Sequence, residues 1–453
     1  MSNPAPRSQP GHLRPQGLSR RTLGQGAIVA ALAAGGLSAC GGGSGGEASS
    51  GSGKGSITVW AHQGQDSENA ALEAAVKAFN ASQKDVTVKL TLQPGDTYTT
   101  TVQNTSVDSL PDVLEMDGPT VASYVYDQRI SALEGHVSAD TLSNQTASAK
   151  GEGTVDGKVY AAAMYDSALG LYGNKKLLDA AGVKYPTALD EAWTAQEFDA
   201  ALKTLAAANG GKALDIQEQN GLSGEWGTYA FAPLVWSAGG RLIEDDKATG
   251  VLDGPEAVGA VTAWASWKQF VDSNADAKAF TGGRVALGWG GHWNYPDYSK
   301  ALGQDLVAMP LPNMGKGTKT GAGSWTWGIS AGSGNAAAAG KFLDFLLNDE
   351  NVKAMTDANG APAATTSAGK AQTLYQSGGA LALFGEQLAQ SCGDDPKEGC
   401  VATARPVTAG YPVVTSSFGK ALAAIYGGSD VQTELTTAAK TIDQAYADNN
   451  NYQ

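Results

Sequence analysis

Histidine and cysteine are scarce. Four histidines (His12, His62, His136, His292) and three cysteines are spread through 453 residues, which leaves little with which to build a metal centre. Basic charge is short too. Thirty-one Lys and Arg face 45 Asp and Glu, for a net charge of −14. That is the wrong sign for a surface that must displace counterions from phosphate, so nucleic acid is excluded as a partner. Catalytic motifs are equally thin. The only Gly-x-Ser-x-Gly, Gly42–Gly46, lies in a Gly/Ser tract, and neither His62 nor His292 stands near a nucleophile elbow. No His-Glu-x-x-His occurs, and no repeat of 20–50 residues points to a solenoid or propeller. Apolar residues are not lacking: at 42% hydrophobic and 8% aromatic, a chain this long holds ample core for two or three domains or one large two-lobed unit.

The first forty residues read as an address rather than as structure. Ser19-Arg20-Arg21-Thr22-Leu23 precedes an apolar stretch from Ala27 to Leu37, then Leu37-Ser38-Ala39-Cys40. The stretch is shorter than the roughly 18–20 residues a membrane span needs, and it has the form of an export signal. The paired arginines resemble a twin-arginine signal, although a general export signal would look similar. Leu-Ser-Ala-Cys resembles a bacterial lipobox, which would make Cys40 a lipidated first residue and hold the protein at the outer face of the cell membrane. Residues 1–39 contain four arginines and no acid, so the remainder carries about −18. Gly41–Ser56 reads as a flexible tether with an r.m.s. span of roughly 20–24 Å. In an exported protein Cys392 and Cys400, bracketing a polar turn, are expected to form a local structural disulfide.

Beyond the tether, strand and helix alternate. Ile57–Trp60 predicts a strand. Leu72, Val76 and Phe79 mark an amphipathic helix capped by Asp66 or Ser67. Val86, Val88, Leu90 and Leu92 alternate with polar residues. Weaker signals give a helix at Thr97–Ser106, a strand at Asp112–Met116 and a proline-opened helix at Pro119–Gln128. This order implies a mostly parallel α/β sheet whose ligand sits outside the carboxyl ends of the strands, here Trp60–Gln63 and Glu115–Asp117. Tryptophans cluster beside glycines. Trp289 and Trp293, with Tyr295 and Tyr298, fall among Gly288, Gly290 and Gly291, and Trp325 and Trp327 among Gly321, Gly323 and Gly328. Any one of them is more often a core residue than a ligand contact. As a cluster they suggest indole faces left open for the apolar face of a sugar ring. Two carboxylates would suffice for a glycoside hydrolase, and Asp117, Asp166 and Glu225 are available, but no spacing singles out a pair.

In these same residues the chain resembles the extracellular solute-binding lipoproteins of ABC sugar importers, the maltose-binding-protein-like group (family 1 solute-binding proteins). The resemblance runs from Leu37 to the C-terminus. It is carried by Ile57–Trp60, Pro111–Asp117, Asp156-Gly157-Lys158-Val159-Tyr160 with Leu171–Leu177, Gly290-Gly291-His292-Trp293, Val307–Pro312, Trp325–Ser330 with the helix Gly340–Leu347, and Arg405-Pro406 with Tyr411-Pro412. Two positions depart from the family pattern: Ala163 stands where Pro is frequent, and Ser167 where an Asp often reaches ligand.

The resemblance implies a two-lobed, type II periplasmic-binding-protein-like α/β fold, each lobe a mostly parallel sheet flanked by helices and joined by hinge strands. Its expected parts are a signal peptide at 1–39, the lipidated Cys and tether at 40–56, lobe 1 at 57–165 and 311–361, and lobe 2 at 166–310 and 362–453. The implied function is capture of a carbohydrate for a membrane permease, by a monomer without cofactor, metal or enzymatic chemistry. The implied contacts are Gln63, Asp117, Tyr165, Asp166, Trp226, Trp236, Trp289, His292, Trp293, Trp325, Trp327, Arg405 and Tyr411. The alternatives are a non-sugar polar solute such as a polyol, and a secreted glycoside hydrolase.

Overall fold

The computed structural model describes residues 48–274 and 276–452. The export signal, Cys40 and the start of the Gly/Ser tract lie outside them. Five strands make the first sheet, in the spatial order Val86–Pro94, Gly55–Gln63, Val113–Asp117, Trp325–Ser330 and Ile130–Ser131. Gly55–Gln63 pairs parallel with both of its neighbours, as the strand–helix alternation predicts. Val86 and Val88 face the core while Thr87 and Lys89 face water, the alternation expected of a half-buried strand. The helix Asp66–Ser82 covers this sheet with Leu72, Ala75, Val76 and Phe79. Neither expected residue caps it. Gln65 occupies the cap without a side-chain bond, and Ser67 donates instead to the Ala358 carbonyl, 2.8 Å away.

The second sheet runs in the order Leu306–Met309, Leu169–Asn174, Leu287–Gly291, Leu214–Asp215. Strand direction is more mixed than expected. Leu169–Asn174 pairs antiparallel with both its neighbours, and only Leu214–Asp215 runs parallel to its own. In the first sheet Trp325–Ser330 likewise opposes Val113–Asp117. A strand that arrives from the other lobe enters from the opposite end, so crossing strands break the parallel rule of local strand–helix–strand units. A third, parallel sheet aligns Thr320–Ala322, Ala402–Ala404 and Ser391–Gly393.

The helix Glu225–Ser237 is buried from Trp226 onward and packs at the centre of the second core. Leu311 belongs to that core as well. Val307–Pro312 is therefore not the return crossing: the chain regains the first sheet only at Trp325. Isolated bridges Ala162 to Trp327, Tyr165 to Ala363 and Ala168 to Ala322 hold the crossing chains together.

Two local findings concern the segments flagged in the sequence. Cys392 and Cys400 form a disulfide with Cα atoms 5.2 Å apart. The expected tether is shorter than Gly41–Ser56, because its end is docked: the Ser49 and Ser50 carbonyls accept from the Ala336 and Ala337 amides. Those amides open the helix Ala336–Leu346 and have no acceptor within it. Lys341 adds a bond to the Gly53 carbonyl, 2.9 Å away.

Candidate functional site: a charged seam between the lobes

The first lobe contributes a wall made from strand ends. Gly55–Gln63 and Val113–Asp117 run parallel and finish side by side. Glu115 is a buried carboxylate among Val113, Leu114 and Met116, and such a group needs a partner. His62 is that partner, with Nδ1 2.7 Å and its amide 3.1 Å from Glu115 Oε2. Burial alone would push the imidazole down. Glu115 beside it wins, and His62 is held above its ordinary value. The imidazole lies flat on Trp325, centroids 4.0 Å apart and planes 10° apart. Trp325 in turn sits in register with Asp117.

The second lobe answers with Glu225, Arg405 and Tyr411. Glu225 opens its helix, where the helix dipole favours a negative charge. Arg405 Nη1 bonds Glu225 Oε1 at 2.9 Å, and Nη2 lies 3.2 Å from Asp117 Oδ1 on the other lobe. The guanidinium also stacks over Tyr229, 4.7 Å from the ring centre. Tyr411 and Thr415 donate their hydroxyls to Glu225. Burial pushes Asp117 up to about 6 although Arg405 works against it. Burial raises Asp166 as well, and that carboxylate accepts from the Ser167 and Gly323 amides at 2.8 and 3.1 Å. Ser167 donates to the Gly323 carbonyl at 2.7 Å and lies 2.6 Å from the Tyr229 hydroxyl. The position that departs from the family pattern thus builds the floor of the seam.

The structure sorts the expected contacts. It brings Asp117, Asp166, Arg405 and Tyr411 into one cluster, with the half-buried rings of Trp325 and Trp293 nearby. Trp293 packs against Trp226 and Tyr229, and its carbonyl accepts from Gln65 of the first lobe at 3.4 Å. Tyr165 and His292 meet edge to face behind the seam. Burial pushes His292 down to about 3, so it is a neutral ring among apolar neighbours.

Four expected tryptophan contacts need correction. Trp289 is 0% exposed, packed on Phe231 inside the second core. Trp327 is 1% exposed, two residues deeper than Trp325 on the same sheet face and walled in by the first core. Trp236 lies eleven residues along its helix from Glu225, about 16 Å from the seam. Trp226 is buried and donates Nε1–H to the Ile216 carbonyl at 3.1 Å, so it supports Trp293 from behind. Gln63 is exposed, and its neighbour His62 is the residue turned into the seam. Sequence reasoning missed Glu115, Glu152 and Tyr229 as site residues. Glu115 alone carried a signal, as a charge between the apolar Leu114 and Met116 at the strand end Glu115–Asp117. No group of metal-ligating side chains occurs among the described residues.

The geometry is that of two α/β lobes clasping a polar, partly aromatic seam, and comparison with known proteins decides the family. The model of the bacterial extracellular solute-binding protein family matches residues 74–382. The chain belongs to that family. Among curated solute-binding relatives, the maltodextrin-binding protein MdxE of Bacillus subtilis is 28% identical over 318 residues, 66% of this chain and 71% of the relative. Among solved structures, the cyclic α-maltosyl-1,6-maltose binding protein of Arthrobacter globiformis is 26% identical with a TM-score of 0.70, covering 87% of this chain and all of that one. The GacH receptor of Streptomyces glaucescens, solved free and with acarbose, superposes with a TM-score of 0.72 at 21% identity, over 87% and 98% of the two chains. The latter likeness establishes the two-lobed fold of extracellular solute-binding proteins. The family's place of action is outside the cytoplasmic membrane, and its members bind solutes rather than convert them.

Proposed function

We propose that this solute-binding protein captures a carbohydrate, a short oligosaccharide of the maltodextrin type, between its lobes and delivers it to an ABC permease. The observation that carries the reading is the seam itself. Carboxylates, a guanidinium and phenols drawn from both lobes, suited to hydroxyl groups, lie beside two half-buried indoles suited to the apolar faces of sugar rings. The maltodextrin class follows the relatives, a maltodextrin-binding protein and a cyclic α-maltosyl-1,6-maltose binding protein. A micromolar complex corresponds to about −8 kcal/mol, within reach of two stacked rings and several buried hydrogen bonds after ordering costs.

The test is titration of the soluble body with maltose, maltotriose and mannobiose, following tryptophan fluorescence and analysing the sugar afterwards. Saturable change with the sugar intact supports the reading. Released glucose or mannose would favour a hydrolase, against which stands the tying of Asp117 and Glu225 to one guanidinium. No response to any of these sugars would sink the carbohydrate reading in favour of another polar solute such as a polyol.

The lipid anchor at Cys40, export by the twin-arginine route and a monomeric state complete the proposal. Cys40→Ala is expected to move the protein from the membrane fraction to the medium. Membrane retention of that variant would remove the anchor from it.

A further inference from the structure

Glu152 is the least accommodated group of the seam, and no assignment of ligand contacts includes it. It lies in the helix Ala147–Gly153 and is 4% exposed. Its carboxyl is wedged between two glycines. A Cβ at Gly118 would fall 1.8 Å from Glu152 Cδ, and one at Gly323 2.1 Å from Oε1, so both positions must lack a side chain for the carboxyl to reach the seam. The two oxygens differ. Oε2 accepts from the Ser324 amide at 3.0 Å. Oε1 makes no hydrogen bond among the described residues and stands 3.6 Å from Arg405 Nη2. Arg405 Nε is likewise buried without an acceptor.

Burial, and after it the charges around Glu152, set its protonation. Among the described residues, Arg405 is the cation that faces it. Asp166 on the crossing and Asp117 at the strand end face it with negative charge, and Tyr229 closes the side formed by the helix Glu225–Ser237. The strand Ser391–Gly393 and the turn Gly118–Thr120 pack on the same helix and bring no titratable group. Arg405 is already shared by Asp117 and Glu225, so a third carboxylate there lacks a cation of its own. Burial pushes Glu152 up to about 8, with Arg405 working against it. Because Oε2 is taken by an N–H donor, the proton belongs on Oε1.

We propose that Glu152 serves the seam as a neutral carboxylic acid whose Oε1–H, together with Arg405 Nε–H, donates to a single oxygen of the ligand, making Glu152 a specificity-determining residue for ligands that present an uncharged acceptor oxygen. This rests on the carbohydrate reading above, since a sugar hydroxyl or ring oxygen is such an acceptor. The sign of the pH effect follows. The donor is present below about 8 and is lost as the carboxyl ionises above it, when a carboxylate would face the ligand oxygen. The tyrosines of the seam are raised rather than lowered and stay protonated over that window.

The experiment is calorimetric titration of the full chain with maltotriose from about pH 7 to about pH 9.5, a window above the titration of Asp117. Wild type is expected to bind roughly tenfold more weakly at the upper end, the loss of one buried hydrogen bond with added repulsion. Glu152→Gln presents an N–H at the Oε1 position while its carbonyl accepts from Ser324. It is expected to lose the pH dependence and to bind more tightly than Glu152→Ala at every pH. Glu152→Ala should bind weakly at every pH. An infrared band of a protonated carboxyl, present in wild type and missing in Glu152→Gln without any ligand, checks the protonation separately. Binding by wild type that ignores pH, or a Gln variant as weak as Ala, overturns the inference and leaves the carbohydrate reading standing. Failure of wild type to bind maltotriose at any pH overturns both.

Discussion

At the scale of single residues, Trp293 and Arg405 divide the work of the seam. Trp293 offers a half-buried ring held edge-on by Trp226, so its orientation is fixed before a ligand arrives, which lowers the ordering cost of stacking. Trp293→Ala is expected to weaken maltotriose binding at least tenfold, about 1.4 kcal/mol, with little change in thermal midpoint. Unchanged affinity would take the ring out of the site. Arg405 is different because it is itself buried and held by two half-buried carboxylates. Removing it would leave Asp117 and Glu225 without their cation, a fault that typically costs about 3–5 kcal/mol, so its loss tests stability before it tests binding. Residue types of this kind were legible in the sequence: Asp117, Asp166, Arg405 and Tyr411 were all singled out. Glu152 was not, because its role comes from two glycines far apart in the chain that leave it room, and no local pattern records that.

At the scale of elements, the tryptophans show what a sequence motif can and cannot say. Glycine beside tryptophan suggested bared indoles. In the strand Leu287–Gly291, however, neighbours point to opposite faces, so Gly288 and Gly290 open the other side. Gly288 makes room for Phe280, and Gly290 for Gln217 and Asn294. The glycines therefore serve close packing, and Trp289 lies in the core with Phe231. Trp289→Ala is expected to cost about 3–5 kcal/mol in urea unfolding, with ligand affinity of the folded fraction nearly intact. A stable variant with lost affinity would restore Trp289 to the site. The elements themselves were more readable than their pairing. Val86–Leu92 and the helix after Gln65 follow from local periodicity. The antiparallel entry of Trp325–Ser330 depends on which lobe the chain has come from, which periodicity does not encode.

At the scale of the whole molecule, the two halves are joined by few bonds, and most are polar. Arg405 reaches Asp117 across the seam, Gln65 reaches the Trp293 carbonyl, and Tyr126 meets Tyr452 edge to face, centroids 5.4 Å apart. Each lobe keeps its own hydrophobic core, so parting them leaves both cores closed. Opening is therefore cheap in hydrophobic terms, and the ion pair bears much of the bias toward closure. The double variant Asp117→Asn with Arg405→Gln removes that pair, and Glu225, which loses its cation with it, keeps the Tyr411 and Thr415 hydroxyls. Its small-angle scattering is expected to give a radius of gyration larger by roughly 1 Å on a body of about 21–22 Å, with both lobe cores intact by circular dichroism. Wild type at raised salt should change far less, because a pair buried to this extent is poorly screened. A double variant as compact as wild type would shift the bias to the crossing strands and to the Tyr126–Tyr452 contact, and closure would then belong to the hinge rather than to the charges at the seam.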